Sequence, residues 1–538
     1  MHESSHVTRI ENVTVWTGTP QADGSILTSD CCALRDGFVL AIGDAAREME
    51  ADDVIDAAGG FLMPAFADGH VHPIFAGVER AFAAVRECSS VGEVADAVRA
   101  WANEHPHAEW IRGEGFDPSL APGGLFQATW LDAVVSDRPV VLRASDYHTV
   151  WVNSAALARV GYVRGVAQPP DGEIVLDENS FPMGTLREWG AWRPVFARMP
   201  ALTVDDMVEA LDYSTGLLRA AGITWIQDAW VEPRDIEGWL AAVASDRAHV
   251  DVDLALWADP TRWRDQLDEF VELRSKVKGS GLKGITANTI KFFADGVIES
   301  STGSLLEPYC DCPHSKGLPN WQPDELKWAM SAIDERGFHP HVHAIGDAAV
   351  RVALDAIEFT RATNPIRDRR PTVCHLQLVD ETDLPRFAEL GVIANFEPFW
   401  AQLDPWQDTL TIPRLGEHRA HRQYQMRTML ASGAQVSFGS DWPVTTYDPL
   451  KGIRMAVSRQ ADDAQEPWMP HECLSVDQAL RAYTDGVAYQ SGRSDAGRIE
   501  PGMRADLVLL SEDPRMVSPV NLADIDVVRV WRSSTGAP

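Results

Sequence analysis

The chain has 538 residues, 45% hydrophobic and 23% charged, which is ordinary for a globular protein and long enough for roughly two or three domains. Its 79 acidic residues outnumber 47 basic ones, and the resulting formal charge of −32 argues against nucleic acid or an anionic membrane as partner. Seven cysteines, an odd number thinly spread, do not make a disulfide framework, and no apolar stretch is long enough to cross a bilayer. At the start, Met1 to Ile10 lacks a basic segment followed by an apolar one, so no signal peptide is apparent and the expected location is the cytoplasm.

The first sixty residues read as short strands, Ile10–Thr17 and Gly37–Gly43 among them, and the tail repeats that style in Arg504–Leu510 and Asp526–Trp531. The two ends, 1–59 and 494–538, are therefore expected to fold together as one small β-sandwich domain. Next comes an apolar run, Gly60 to Phe66, read as a buried strand that delivers Asp68-Gly69-His70-Val71-His72-Pro73. His70 and His72 are two apart, so on a strand both rings face one side and can grip one divalent ion. Alone such a pair is weak; its company downstream gives it meaning. Residues 79–200 follow no regular repeat and carry several Gly/Pro breaks, as expected of an insertion over the active site.

Beyond it strands and helices alternate. Thr203 and Asp206 resemble a capping box ahead of an amphipathic helix that leads to the strand Ile223–Asp228. Val252–Trp257 precedes a polar helix from Thr261 to about Val277. Then come strands carrying Lys291, His341 with His343, His375, the run Val392–Phe396, and Asp441, with helices near 323–336, 347–363, 380–390 and 425–433. With the His70 strand this predicts a (β/α)₈ TIM-like barrel over 60–493, whose active site lies at the C-terminal strand ends where every candidate ligand sits. Histidine and carboxylate without thiolate suit zinc, with manganese or iron as alternatives.

The order HxH, Lys, His, His, Asp, and the motifs GHVHP, KFFADG, HVHAIGD and GSDWPV, resemble the metal-dependent amidohydrolase superfamily, in particular its YtcJ-like branch with the N-substituted formamide deformylases. The resemblance covers nearly the whole chain. It implies one or two divalent ions, His70, His72 and Asp441 on one, His343 and His375 on the other, with Lys291 carboxylated on its amine as a bridging carbamate. From the residues alone, Lys291 could instead pair with Asp295, and His341 could replace His343. His343 is preferred because it immediately precedes the Ala344–Asp347 turn of the family pattern. Asp441 is the candidate catalytic residue, taking a proton from the attacking water and passing it to the leaving amine; a helix N-cap is its structural alternative. Asp68 reads as a turn or supporting residue.

Substrate contacts are expected from His148, which with Asn153 resembles a pair near the substrate in the same branch, and from Trp151, Trp230, Trp400 and Trp442 near predicted strand ends or in the insertion. Tryptophans clustered at the mouth would favour an apolar or aromatic substrate. A charged one would need a fixed basic residue, for which Arg143 and Arg187 are the candidates. Where many relatives carry a glycine-rich turn, Val297–Gly303 stands here, and it is expected to affect substrate choice more than metal binding. The GxGxxG match at 279–284 follows a helix and precedes a strand, the reverse of a dinucleotide site. The reading is a metal-dependent hydrolase of a non-peptide amide, an N-acyl or N-formyl compound with an apolar group, against a non-hydrolytic enzyme or an inactive binding protein on the same scaffold. Expected partners are a small-molecule substrate and, as the candidate assembly, a second copy in a homodimer.

Overall fold

Eight largely buried stretches pair in parallel, in chain order, in the computed structural model, which describes residues 6–461 and 466–533. They are β1 (Phe66–Val71), β2 (Ile223–Val231), β3 (Asp251–Trp257), β4 (Ile285–Phe293), β5 (His339–Ala344), β6 (Thr372–His375), β7 (Ile393–Phe396) and β8 (Gln435–Phe438). Near-continuous burial is what a parallel sheet covered by helices requires. The sheet curls back on itself at its C-terminal rim: the backbone N–H groups of Ser440 and Asp441 donate to the His70 carbonyl at 3.2 and 2.7 Å. Eight parallel strands with helices between them form the expected TIM-like barrel.

The helices start and stop for local reasons. Val204–Ala220 begins at the capping box of Thr203 and Asp206, both of whose bonds are made. Trp263–Gly279, Pro323–Glu335 and Asp347–Thr363 match the predicted segments closely, while the fourth and fifth are shorter, Leu384–Leu390 and Met426–Ala431. Leu211, Trp239, Leu354 and Phe387 on the helices share one core with Ile226, Leu254, Phe292 and Val342 on the strands. Each such side chain contributes about 1.5–3 kcal/mol by leaving water.

The two chain ends do meet. One sheet has the order Val527–Trp531, Leu507–Leu510, Phe61–Pro64, Thr14–Pro20, Ile26–Ser29, and a second the order Phe38–Ile42, Cys32–Arg35, Val7–Glu11, Asp53–Asp56. Ile10, Val15, Leu34, Leu62, Leu507 and Leu509 share the core between them. Asp251 on β3 accepts from Arg504 Nη2 at 3.0 Å and Arg532 Nε at 3.1 Å, tying the tail to the barrel.

Two strand readings change. The apolar run from Gly60 to Phe66 is not one strand: Phe61–Pro64 pairs antiparallel with Leu507–Leu510, and only after Ala65 does β1 begin. Pro64, which has no N–H to continue a ladder, closes the first piece. Ile10–Thr17 likewise divides into Val7–Glu11 and Thr14–Pro20, because Asn12 adopts φ 53, a left-handed conformation asparagine tolerates. Residues 1–5, part of the segment read as lacking a signal peptide, and 534–538, the end of the predicted terminal domain, lie outside the described residues.

The segment 79–200 is more regular than its Gly/Pro breaks suggested. It holds a five-stranded sheet in the order Glu173–Leu176, Pro182–Arg187, Thr149–Val152, Val140–Ala144, Ile111–Phe116. One of its cores is its own, with Ile111, Phe116, Phe126 and Leu142. The other joins Val150, Leu186, Trp189 and Val195 to Trp230, Trp257 and Phe293 at barrel strand ends, so the insertion is packed over them.

Candidate active site

Strand alternation sets the donors. His70 and His72 leave β1 on one face; His72 Nε2 lies 3.0 Å and His70 Nε2 3.6 Å from Asp441 Oδ1. One ligand atom from each of His70, His72 and Asp441 falls within 4.8 Å of the others. Although buried, Asp441 Oδ1, His72 Nδ1 and Glu397 Oε1 make no hydrogen bond among the described residues. His72 and Asp441 approach closely without the alignment of a hydrogen bond, so their lone pairs are left for another occupant.

Lys291, fully buried, has its Nζ 3.4 Å from His70 Nε2 and 3.6 Å from Cys374 Sγ. No carboxylate pairs with it among the described residues. Asp295, its alternative partner in the sequence, is engaged by the backbone N–H groups of Ser304, Ile345 and Gly346 at 2.7, 3.0 and 2.9 Å. A buried ammonium without a direct ion-pair partner is costly.

His343 and His375 bring their rings to 4.4 Å, and His375 lies 4.7 Å from His70. His341 sits deeper, its Nε2 3.0 Å from His70 Nδ1, and is not on the cavity wall, whereas His343 is. Burial lowers the pKa of His70, His341, His343 and His375 well below the ordinary value, with the Lys291 charge adding to it at His70 and His341. These rings are neutral, as ligands must be. Burial pushes Asp441 up, but its close contact with His72 and the Lys291 charge outweigh it and hold the carboxyl below its usual range. Glu397, buried and facing the Asp441 charge, is pushed well up. Cys374 Sγ converges with ligand atoms of His70 and His375 within 4.8 Å, and burial raises its thiol pKa.

Backbone strain is concentrated here. His375, Leu376 and Asp441 have φ of 77, 50 and 51°, and Tyr147 and Glu188 have 60 and 59°. Each costs about 1–3 kcal/mol in a residue with a side chain, and such outliers gather at functional sites. Gly439 allows β8 to approach β1, because a Cβ there would stand 2.6 Å from that of His70. Asp68 supports the same seam: its Oδ1 accepts from the backbone N–H of both His70 and Ser440 at 3.0 Å.

The cavity over these groups, about 30 Å³, is walled by the histidines and by Phe75, Tyr147, Trp189, Trp230, Phe293 and Trp400. Trp230 and Trp400 are thus at the site, Trp400 stacked on His375 at 5.3 Å. Trp151 is not: it lies in the core of the insertion with its indole N–H on the Gln127 carbonyl at 2.9 Å. Trp442 also lies off the wall, packed on Tyr447 at 4.8 Å. His148 lines the cavity, its Nδ1 2.9 Å from Glu188 Oε2. Burial lowers its pKa, yet the Glu188 carboxylate overcomes this and the net shift is upward. Asn153 is structural, accepting from Ala156 N as the cap of the helix Ser154–Val160. In the loop 297–303, Thr302 donates to Glu188 Oε1 at 2.5 Å and so joins the barrel to the His148 pair.

Glu397 was missed in the sequence. Its Oε2 lies 2.9 Å from His375 Nδ1, one residue beyond β7, the position that singled out the other candidates. Phe75, Tyr147 and Trp189 were missed as well, and no motif marks them.

The family described as "Amidohydrolase family" matches residues 53–534. This chain belongs to it. The amidohydrolase is 29% identical to Protein LONG AFTER FAR-RED 3 of Arabidopsis thaliana over 93% of its own length and 86% of that protein. It is 28% identical to the putative amidohydrolase YtcJ of Bacillus subtilis (strain 168), covering 92% and 93% of the two chains. It is also 28% identical to the N-substituted formamide deformylase of Arthrobacter pascens, covering 91% and 90%. An uncharacterized metal-dependent hydrolase from Pyrococcus horikoshii OT3 shares the fold with a TM-score of 0.73 at 23% identity, over 95% of this chain and 99% of that one. The protein is a metal-dependent amidohydrolase acting on carbon–nitrogen bonds, as the resemblance implied. Its neutral imidazoles, ionised carboxylate and unpartnered buried atoms fit a divalent ion.

Proposed function

We propose that this amidohydrolase cleaves the amide bond of a small non-peptide N-acyl compound, with N-formyl amines of apolar or aromatic body first among them. The convergence of unpartnered donor atoms on a small aromatic-walled cavity carries the reading. One or two divalent ions, zinc foremost, would be held by His70, His72 and Asp441 and by His343 and His375, with Lys291, carboxylated on its amine, as a further ligand. Bound there, such an ion lowers the pKa of water to about 7 and polarises a carbonyl.

The chain's own groups do the rest. Asp441 takes the proton of the attacking water and gives it to the departing amine nitrogen. His148, whose pKa the nearby Glu188 carboxylate raises, is placed to donate to the carbonyl oxygen as negative charge grows on it. Glu397 orients His375. A cavity of about 30 Å³ suits a one-carbon acyl group with a water, while the amine side must reach into adjoining space.

The test is a screen of N-formyl amines, longer N-acyl amines, acyl hydrazides and cyclic amides in oxygen-18 water with the metal-loaded enzyme. Label in the released acid and best turnover of formyl compounds are expected. Full activity after exhaustive chelation, or product acid without label, would overturn the reading.

A further inference from the structure

Beside the catalytic cavity lies a larger one of about 230 Å³, and the two share Phe75, Trp189 and Trp230 as a common wall. Arg143, from the insertion, lines the larger cavity and is only 4% exposed. It has one hydrogen bond, Nε to the Tyr147 carbonyl at a long 3.3 Å. Neither terminal nitrogen has a hydrogen-bond or ion-pair partner among the described residues. The other arginines around the chamber differ: Arg112 is bonded to Glu114 at 2.5 Å, Arg193 to Asp259 at 2.9 Å, and Arg234 lies 3.7 Å from Glu232. Arg187, the other sequence candidate for a basic anchor, is paired with Glu173 at 3.0 Å.

Aromatic rings line the guanidinium of Arg143; the Glu114 carboxylate, in register on the neighbouring strand, and Asp146 act on its charge but make no ion pair with it among the described residues. The Arg143 guanidinium carbon stands 4.7 Å from the Tyr147 ring, 4.8 Å from Trp192, and 5.3 to 5.4 Å from Phe196, Phe75 and Trp230. Ring faces hold a cation in place without occupying its in-plane N–H donors. Two more donors are idle at the same chamber, the buried indole N–H groups of Trp192 and Trp230. A fixed fork of donors and two indole donors without acceptors call for a planar, acceptor-rich anion.

We infer that Arg143 anchors a carboxylate carried on the amine half of the substrate, the larger cavity taking an aromatic or apolar body that ends in that anion. This rests on the proposed amide hydrolysis and narrows its substrate from neutral aromatic amides to N-acylated aromatic compounds bearing a carboxylate.

The test is calorimetric binding to the metal-loaded enzyme at physiological ionic strength, with indole-3-acetate and its neutral counterpart indole-3-ethanol, neither of which is an amide. Indole-3-acetate should bind wild type about tenfold tighter or more. Arg143→Gln should abolish most of that preference and Arg143→Lys retain part of it. Equal binding of the two probes by wild type overturns the inference even if the variants fail to fold. Full preference in a folded Arg143→Gln overturns it too, because the carboxylate is then held elsewhere. If the hydrolysis screen fails while the Arg143-dependent preference holds, the amide reading falls and the anion site stands.

Discussion

Lys291 is the residue on which the two-ion reading turns, because this buried amine makes no ion pair with a carboxylate among the described residues. Lys291→Ala should lose at least one metal per chain by elemental analysis together with nearly all turnover, and a short added carboxylate should restore part of both. Two metals retained in the variant would refute the carbamate. Glu397→Gln keeps the size of the side chain but weakens its hold on His375 Nδ1, so metal affinity should drop about 10–100-fold in a chelator competition. Most of the proposed ligand set was legible because an inward-facing polar residue at the end of an apolar strand is rare and each candidate met that rule. Glu397 met it too and was passed over. Trp151 lies in the insertion as expected, but on the strand Thr149–Val152 its side chain turns into the insertion's own core. The aromatic walls from Phe75, Tyr147 and Trp189 were invisible, since they converge only through the packing of the insertion on the strand ends.

Among the elements, the helix Asp235–Ala244 carries a testable burden in its first turn. Burial pushes the Asp235 carboxyl from its ordinary 3.8 up to about 7, while its Oδ2 accepts from Glu232 N at 2.9 Å. In the folded chain the group stays protonated where the unfolded chain has released its proton, so stability falls as pH rises from about 4 to about 7. The shift corresponds to roughly 4 kcal/mol, more than the 0.3–1 kcal/mol that an acid gains at a helix N-terminus. Asp235→Asn keeps the acceptor and should raise the melting temperature, clearly at pH 8 and less at pH 5; an equal gain at both would show that ionisation is not the cause. The barrel was legible because eight apolar runs separated by amphipathic helices admit few arrangements. The division of the run at Pro64 was not, because hydrophobicity marks burial and does not say which sheet supplies the partner. The insertion's sheet escaped for a related reason: its strands are short and interrupted, and pairing across it is non-local.

At the scale of the whole molecule, the tail is clamped to the barrel through Asp251, which meets both Arg504 and Arg532. Asp251→Ala leaves Arg532 without its carboxylate, while Arg504 keeps Asp506 at 2.9 Å, and should cost about 1–3 kcal/mol in urea denaturation, with metal content unchanged in the folded fraction. A loss below 0.5 kcal/mol, the scale of an ordinary surface change, would show that the clamp is incidental. The barrel's closing seam has a consequence in time. The His70 carbonyl on β1 accepts the N–H of Asp441 beyond β8, so the same two residues close the sheet and flank the proposed ion. On the ribosome, at 5–20 residues per second, roughly 20 to 70 s separate the emergence of His72 from that of Asp441. During that interval the first histidines wait without their carboxylate, and any ion they meet is held by a partial set. If the proposed ligands hold the ion, its full capture is a late event of biogenesis, reporting that translation has reached the last barrel strand and that the ring has shut.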